Sequence, residues 1–245
     1  MDKRIAAIVV AYAAGLLVVA WLRLQTGSEG AVGTLSGYAT LIYIGLTVVA
    51  AVRLIRAGVP FRRLGFGKPH RPLLYLALAA AGVAFLQLSG LVLGPLWEQL
   101  FATDRNLSRF ADVSGSLPQL LAVLALSWSV AAFGEELAFR IVLMRSVAFV
   151  LGDSRAAFAT ALFVQALIFG LVHAYQGPVG IAGTVTSGLV YGGLTLAARG
   201  SIWPAALTHG INNSIGLVTI YAAGLTADAT AMSFCSYCSM TVGIF

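Results

Sequence analysis

An all-α bundle of membrane-spanning helices is the fold class this sequence predicts, and three observations predict it. The 245 residues are 59% hydrophobic and only 10% charged, against roughly 25% charged in ordinary soluble domains. The apolar residues fall in repeated stretches near the roughly 20 residues a helix needs to cross a bilayer. Those stretches lack the dyad alternation of a membrane barrel, and only helices and closed barrels satisfy their backbone groups in hydrocarbon. The whole chain, 1–245, therefore reads as one polytopic domain with the lipid bilayer as its partner.

Seven helices are expected in order. The run Ile5–Leu22 follows Lys3 and Arg4 but is too long, and too poor in a small-residue cleavage pattern, for a signal peptide. It reads as a retained first helix. Val32–Val52, Leu73–Trp97 and a long segment from Leu117 into the 140s follow, then Arg155–Gln176, Pro178–Ala198 and Ser201–Gly224. The tail from Leu225 is too polar to count as an eighth span. It holds Cys235 and Cys238 as C-x-x-C without any βαβ context, so these read as tail residues rather than a redox or metal pair. In the sixth segment Gly180, Thr184, Gly188 and Gly192 make a small-residue stripe that lets a neighbouring helix approach closely.

The net charge of +6 comes mainly from inter-helix loops, which argues for orientation and against nucleic-acid binding. Arg53, Arg56, Arg62, Arg63, Lys68 and Arg71 occupy one loop with no acidic residue. By the positive-inside rule that loop, and with it the N-terminus, is cytoplasmic. Arg145, Arg155 and Arg199 then fall on the same side, while Arg23, Arg105 and Arg109 fall outside among Glu29, Glu98, Asp104 and Asp112. The composition suits a prokaryotic plasma membrane.

Ionisable residues inside apolar segments are expensive and are functional sites by default. Glu135, Glu136 and Arg140 lie in the fourth segment, His173 in the fifth and His209 in the seventh. Glu136 and Arg140, four apart, share a helix face and can pair. Glu135 points about 100° away and lacks that partner, which suits a group that takes a proton from water. A purely structural charge network at a helix end is the competing reading. Phe169 stands one turn before His173, and Glu135 and His173 are equidistant from residue 154, beside the turn signal Gly152-Asp153-Ser154-Arg155. A helical hairpin there brings both to one depth. His209 and Asn213 share a face and can donate hydrogen bonds to an oxyanion, or else serve as interhelical glue.

Glu135-Glu136-x-x-x-Arg140, Phe169-x-x-x-His173 and His209-x-x-x-Asn213 together resemble the motif set of the CPBP intramembrane proteases, the Abi or CAAX prenyl endopeptidase type 2 family. The resemblance covers about 117–217, the motif-bearing core, with Ile141 replacing the family's common glycine. It implies that Glu135 and His173 activate water, that His209 and Asn213 stabilise the oxyanion, and that Glu136, Arg140 and Phe169 are accessory. Glu135, His173 and His209 are also a candidate zinc set with one open position, although no H-E-x-x-H pair is present. The implied activity is an intramembrane endopeptidase acting on a peptide or membrane-protein substrate near the cytoplasmic face. The competing functions are a non-catalytic scaffold or bacteriocin-immunity-type factor, and an ion or proton carrier, which would place ionisable residues in several further helices. The expected site is one polar cavity reached from the cytoplasm.

Overall fold

A computed structural model of the chain describes residues 3–25, 34–59 and 71–225. Seven long helices are found among them: α1 Lys3–Gln25, α2 Thr34–Arg56, α3 Pro72–Phe101, α4 Leu117–Val150, α5 Arg155–Leu171, α6 Gly177–Ala197 and α7 Trp203–Leu225. Short 3₁₀ turns at Ser108–Val113 and Ala174–Gln176 link α3 to α4 and α5 to α6. The Arg62, Arg63 and Lys68 part of the basic loop and the Cys235–Cys238 tail lie outside the described residues.

Local chemistry sets the helix ends. Proline stands at the first or second position of α3, α4 and α6, where its missing N–H has no intrahelical partner to lose. Ser154 caps α5 by accepting from the Ala157 N–H at 3.1 Å. The expected hairpin between α4 and α5 forms through Gly152 and Asp153, both with positive φ. Arg145 locks it with two bonds to Asp153, one from Nη2 to Oδ2 at 2.8 Å and a second from Nη1 to Oδ1. Several helices run a few residues past the expected bounds, and the largest difference is a shortening: α5 stops at Leu171 rather than Gln176, because the chain must turn before Gly177 (φ 76°) and Pro178 start the next helix.

Five helices, α1–α4 and α6, are long and apolar enough to cross a membrane, and α5 is shorter at 17 residues. The outer faces of α1–α3 leave large apolar side chains bare, among them Val10, Leu41, Leu73 and Val92. An apolar face of this extent is stable against lipid, not water. The protein is a multi-pass membrane protein.

Small residues bring the later helices together. A Cβ on Gly188 would lie 3.0 Å from the Ala166 backbone, and one on Gly192 would lie 2.3 Å from the Leu162 side chain. The stripe thus packs α6 onto α5 at this contact. α4 widens into i→i+5 turns over Ser127–Glu135 and Leu137–Met144, a departure from α geometry often found at functional sites. The first two helices brace these turns. Tyr43 donates to the Gly134 carbonyl and Tyr12 to the Ala138 carbonyl, each at 3.4 Å.

Candidate active site

The two adjacent glutamates of α4 face different partners, and both are completely enclosed. Glu136 Oε2 pairs with Arg140 Nε at 3.1 Å, the expected i,i+4 ion pair. Its other oxygen, Oε1, accepts from His209 Nδ1 at 2.9 Å. Arg140 also reaches the Gly188 carbonyl, and its guanidinium lies 4.6 Å from the Phe169 ring centre and 5.1 Å from that of Tyr191. The carboxylate thus has one hydrogen-bond donor and one ion-pair partner, and the cation of that pair lies against two aromatic rings.

Glu135 stands differently. Neither carboxylate oxygen has a hydrogen-bond partner among the described residues. Its Oε2 lies 3.9 Å from His173 Nε2 and its Oε1 lies 3.7 Å from Arg23 Nη1. His173 Nδ1 donates to the Phe169 carbonyl at 2.6 Å. A carbonyl only accepts, so that bond fixes the proton on Nδ1 and leaves the Nε2 lone pair facing the carboxylate when the ring is neutral. Two acceptors 3.9 Å apart can both touch one water at ordinary hydrogen-bond distance.

Phe169 is the packing centre between the two clusters. Its ring centre lies 4.7 Å from His173, 6.1 Å from His209 and 5.0 Å from Phe139. Tyr191 stacks on His209 at 4.6 Å, with 15° between the planes. With Nδ1 held by Glu136, His209 presents Nε2, which is buried without a hydrogen-bond partner among the described residues. Asn213, one turn further along α7, donates from Nδ2 to Ser127 Oγ at 3.1 Å, and its Oδ1 has no partner. The site residues expected from sequence thus form two contacting clusters, Glu135–His173 and Glu136–Arg140–His209, joined by Phe169, with Asn213 tied to Ser127.

The candidate zinc ligands share one feature. Both imidazoles have Nδ1 fixed by an acceptor, as metal-binding histidines do. Yet among the described residues no three His, Cys, Asp or Glu side chains are grouped so as to hold one metal ion.

Several participants carry no local signal in the sequence. Arg23 comes from α1, 112 positions before Glu135, and is buried at 4% exposure, which corrects the expectation that Glu135 lacks a cationic neighbour. Tyr191, Ser127 and Gln176 are likewise buried polar residues in apolar runs. Arg105, assigned by sequence to a loop, is buried, and its Nε donates to Gln176 Oε1 at 2.8 Å with a second bond from Nη2. A hydropathy profile shows charge inside a span, but not which distant span answers it.

The site also sits nearer one end of the bundle than expected. Arg23 is in the last turn of α1, His173 lies just past the end of α5, and the α3–α4 connection reaches Gln176 through Arg105. The ends bearing Arg53, Arg56 and Arg71 are the opposite ones. A cytoplasmic N-terminus and a site reached from the cytoplasm therefore point to opposite ends of the molecule.

No curated protein and no solved structure matches the chain. Residues 117–215 match the family model described as type II CAAX prenyl endopeptidase Rce1-like. The match starts where α4 starts and takes in Glu135, His173, His209 and Asn213, but leaves α1–α3, and with them Arg23 and Arg105, outside. Over this motif-bearing part the chain is similar to the Rce1-like type II CAAX prenyl endopeptidases.

Proposed function

We propose that the protein hydrolyses a peptide bond within or beside the membrane by a water that Glu135 and His173 activate together. The observation that carries this reading is the Glu135–His173 pair: a carboxylate with no hydrogen-bond partner, 3.9 Å from an imidazole nitrogen whose other nitrogen is already fixed by a carbonyl. One of the two accepts a proton from water as it attacks the scissile carbonyl, and the pair returns it to the leaving amine. His209 donates from Nε2 to the developing oxyanion, which requires a proton on both ring nitrogens. The Glu136 carboxylate holds the ring through Nδ1, so Glu136 is a positioning residue rather than a spare acid. Asn213 supports the same region through its amide. The substrate is a peptide or a membrane protein.

The test is cleavage of a peptide library by purified protein in liposomes, read by mass spectrometry, beside Glu135→Gln. We expect defined products from the wild type and a loss of about 10²–10⁴-fold in the variant. Peptide binding without any cleavage by the wild type would favour a scaffold or immunity-type factor instead.

By the charge distribution the N-terminus is cytoplasmic in a prokaryotic plasma membrane, and the site end faces the other side. A Cys235→Ser/Cys238→Ser background carrying Asp104→Cys reports this. A membrane-impermeant maleimide should label exposed position 104 in intact cells. Labelling only after lysis would invert the topology and return the site to the cytoplasmic face.

A further inference from the structure

Three arginines are buried at the site end of the bundle: Arg23, Arg105 and Arg109. The acidic residues of the neighbouring connection, Asp104 and Asp112, are exposed, and Glu136 is committed to Arg140 and His209. Among the described residues of this end Glu135 is thus the fully buried carboxylate, and it lies 3.7 Å from Arg23. Arg105 spends its fork on a neutral amide oxygen, Gln176 Oε1. Arg109, at 8% exposure, lies 4.9 Å from the Tyr175 ring centre, and its Nε has no hydrogen-bond partner among the described residues. Burial pushes Arg105 down to about 10 and lowers Arg109 as well. A buried cation held by an aromatic face and a neutral amide is undercompensated, and an anion is the partner that completes it. The N-terminus of α6, beginning at Gly177 next to Gln176, adds a positive dipole end to the same place.

We propose that Arg109, with Arg105 beside it, forms a subsite that binds a carboxylate of the peptide substrate and so selects where the chain is cut. This rests on the peptidase reading and deepens it. The Arg109 guanidinium is 4.9 Å from the Tyr175 ring and that ring is 6.0 Å from His173. At roughly 3.3–3.6 Å per extended residue, a carboxylate on Arg109 lies within about three residues of a bond presented to His173. Two sources carry this chemistry, the terminal carboxylate of the peptide and an acidic side chain near the scissile bond.

Matched fluorescent peptides distinguish them: one with a free terminal carboxylate, one amidated, and one amidated with Asp within three residues of the cleaved bond. Binding is read on the full-length Glu135→Gln protein, and cleavage separately on the wild type. A hydrogen bond to a charged group corresponds to roughly 10- to 100-fold in affinity. We expect at least one carboxylate-bearing peptide to bind about tenfold or more tighter than the plain amide. That ratio should collapse to within about twofold when Arg109→Gln is added and be partly kept by Arg109→Lys. Equal binding of all three peptides, or equal weakening of all three by Arg109→Gln, overturns the subsite. If Arg109→Gln does not fold, the ratio is read on Arg105→Gln, where a full ratio overturns the proposal. A peptide series that binds selectively but is never cut by the wild type rejects the peptidase reading and leaves the subsite standing.

Discussion

Glu135 and Glu136 are neighbours in the chain and opposites in the fold. Glu136 is held by an arginine at 3.1 Å and an imidazole at 2.9 Å. Glu135 is equally enclosed, yet its closest charged or ionisable partners are 3.7 and 3.9 Å away and neither of its oxygens is hydrogen-bonded. A closely paired buried carboxylate contributes to order, whereas one with neither oxygen hydrogen-bonded retains the capacity to bind a proton, a water or a substrate. The difference arises from α4 itself, since one residue of rotation turns one side chain toward α7 and the next toward α1 and the end of α5.

The strongest way to break this contrast is at its chemical side. His173→Ala removes the imidazole and should cut turnover by about 10²–10⁴-fold while the protein still folds. Near wild-type turnover would detach His173 from water activation. On the scaffold side, Arg140→Ala leaves Glu136 facing His209 without its cation, and the loss of one partner of a buried pair costs about 3–5 kcal/mol. It should appear as a clear fall in the thermal midpoint in detergent. A normal midpoint with no activity would place Arg140 in the chemistry instead.

Intermediate effects sharpen the boundary. Asn213→Ala should lower turnover at saturating substrate by at most the roughly 10²–10³-fold of a lost oxyanion donor. Because its Nδ2 already serves Ser127, a smaller loss matched by Ser127→Ala would mark the pair as positioning. Tyr12→Phe removes the hydroxyl that reaches Thr47 at 3.1 Å and the Ala138 carbonyl. The expected cost is about 1 kcal/mol of stability, with turnover changed less than in any variant above.

Much of this contrast was legible in the sequence. Hydropathy located all seven long helices, and the Gly152–Ser154 turn correctly set Glu135 and His173 face to face. The i,i+4 spacing of Glu136 and Arg140 yielded their ion pair. What stayed hidden depends on tertiary position. Arg23 is a single charge near a helix end, indistinguishable in sequence from an interfacial residue until α1 packs against α4. The wide turns of α4 leave no mark in a run of Ala, Ser, Val and Phe, because they arise where tyrosines of α1 and α2 engage its carbonyls. The Glu136–His209 bond was missed because the i,i+4 rule offered Glu136 a partner already.

The most direct measurement sets Glu135→Gln beside Glu136→Gln, with turnover and thermal midpoint recorded on both. Glutamine at 135 keeps an oxygen for Arg23, so that variant should melt within a few degrees of wild type while losing about 10²-fold or more in rate. Glutamine at 136 breaks the pair with Arg140 and the hold on His209, so its midpoint should fall markedly, by the equivalent of about 3–5 kcal/mol, with activity falling alongside. The reverse pattern, a destabilised but active Glu135→Gln and a stable but inactive Glu136→Gln, would contradict the division of labour between the two glutamates.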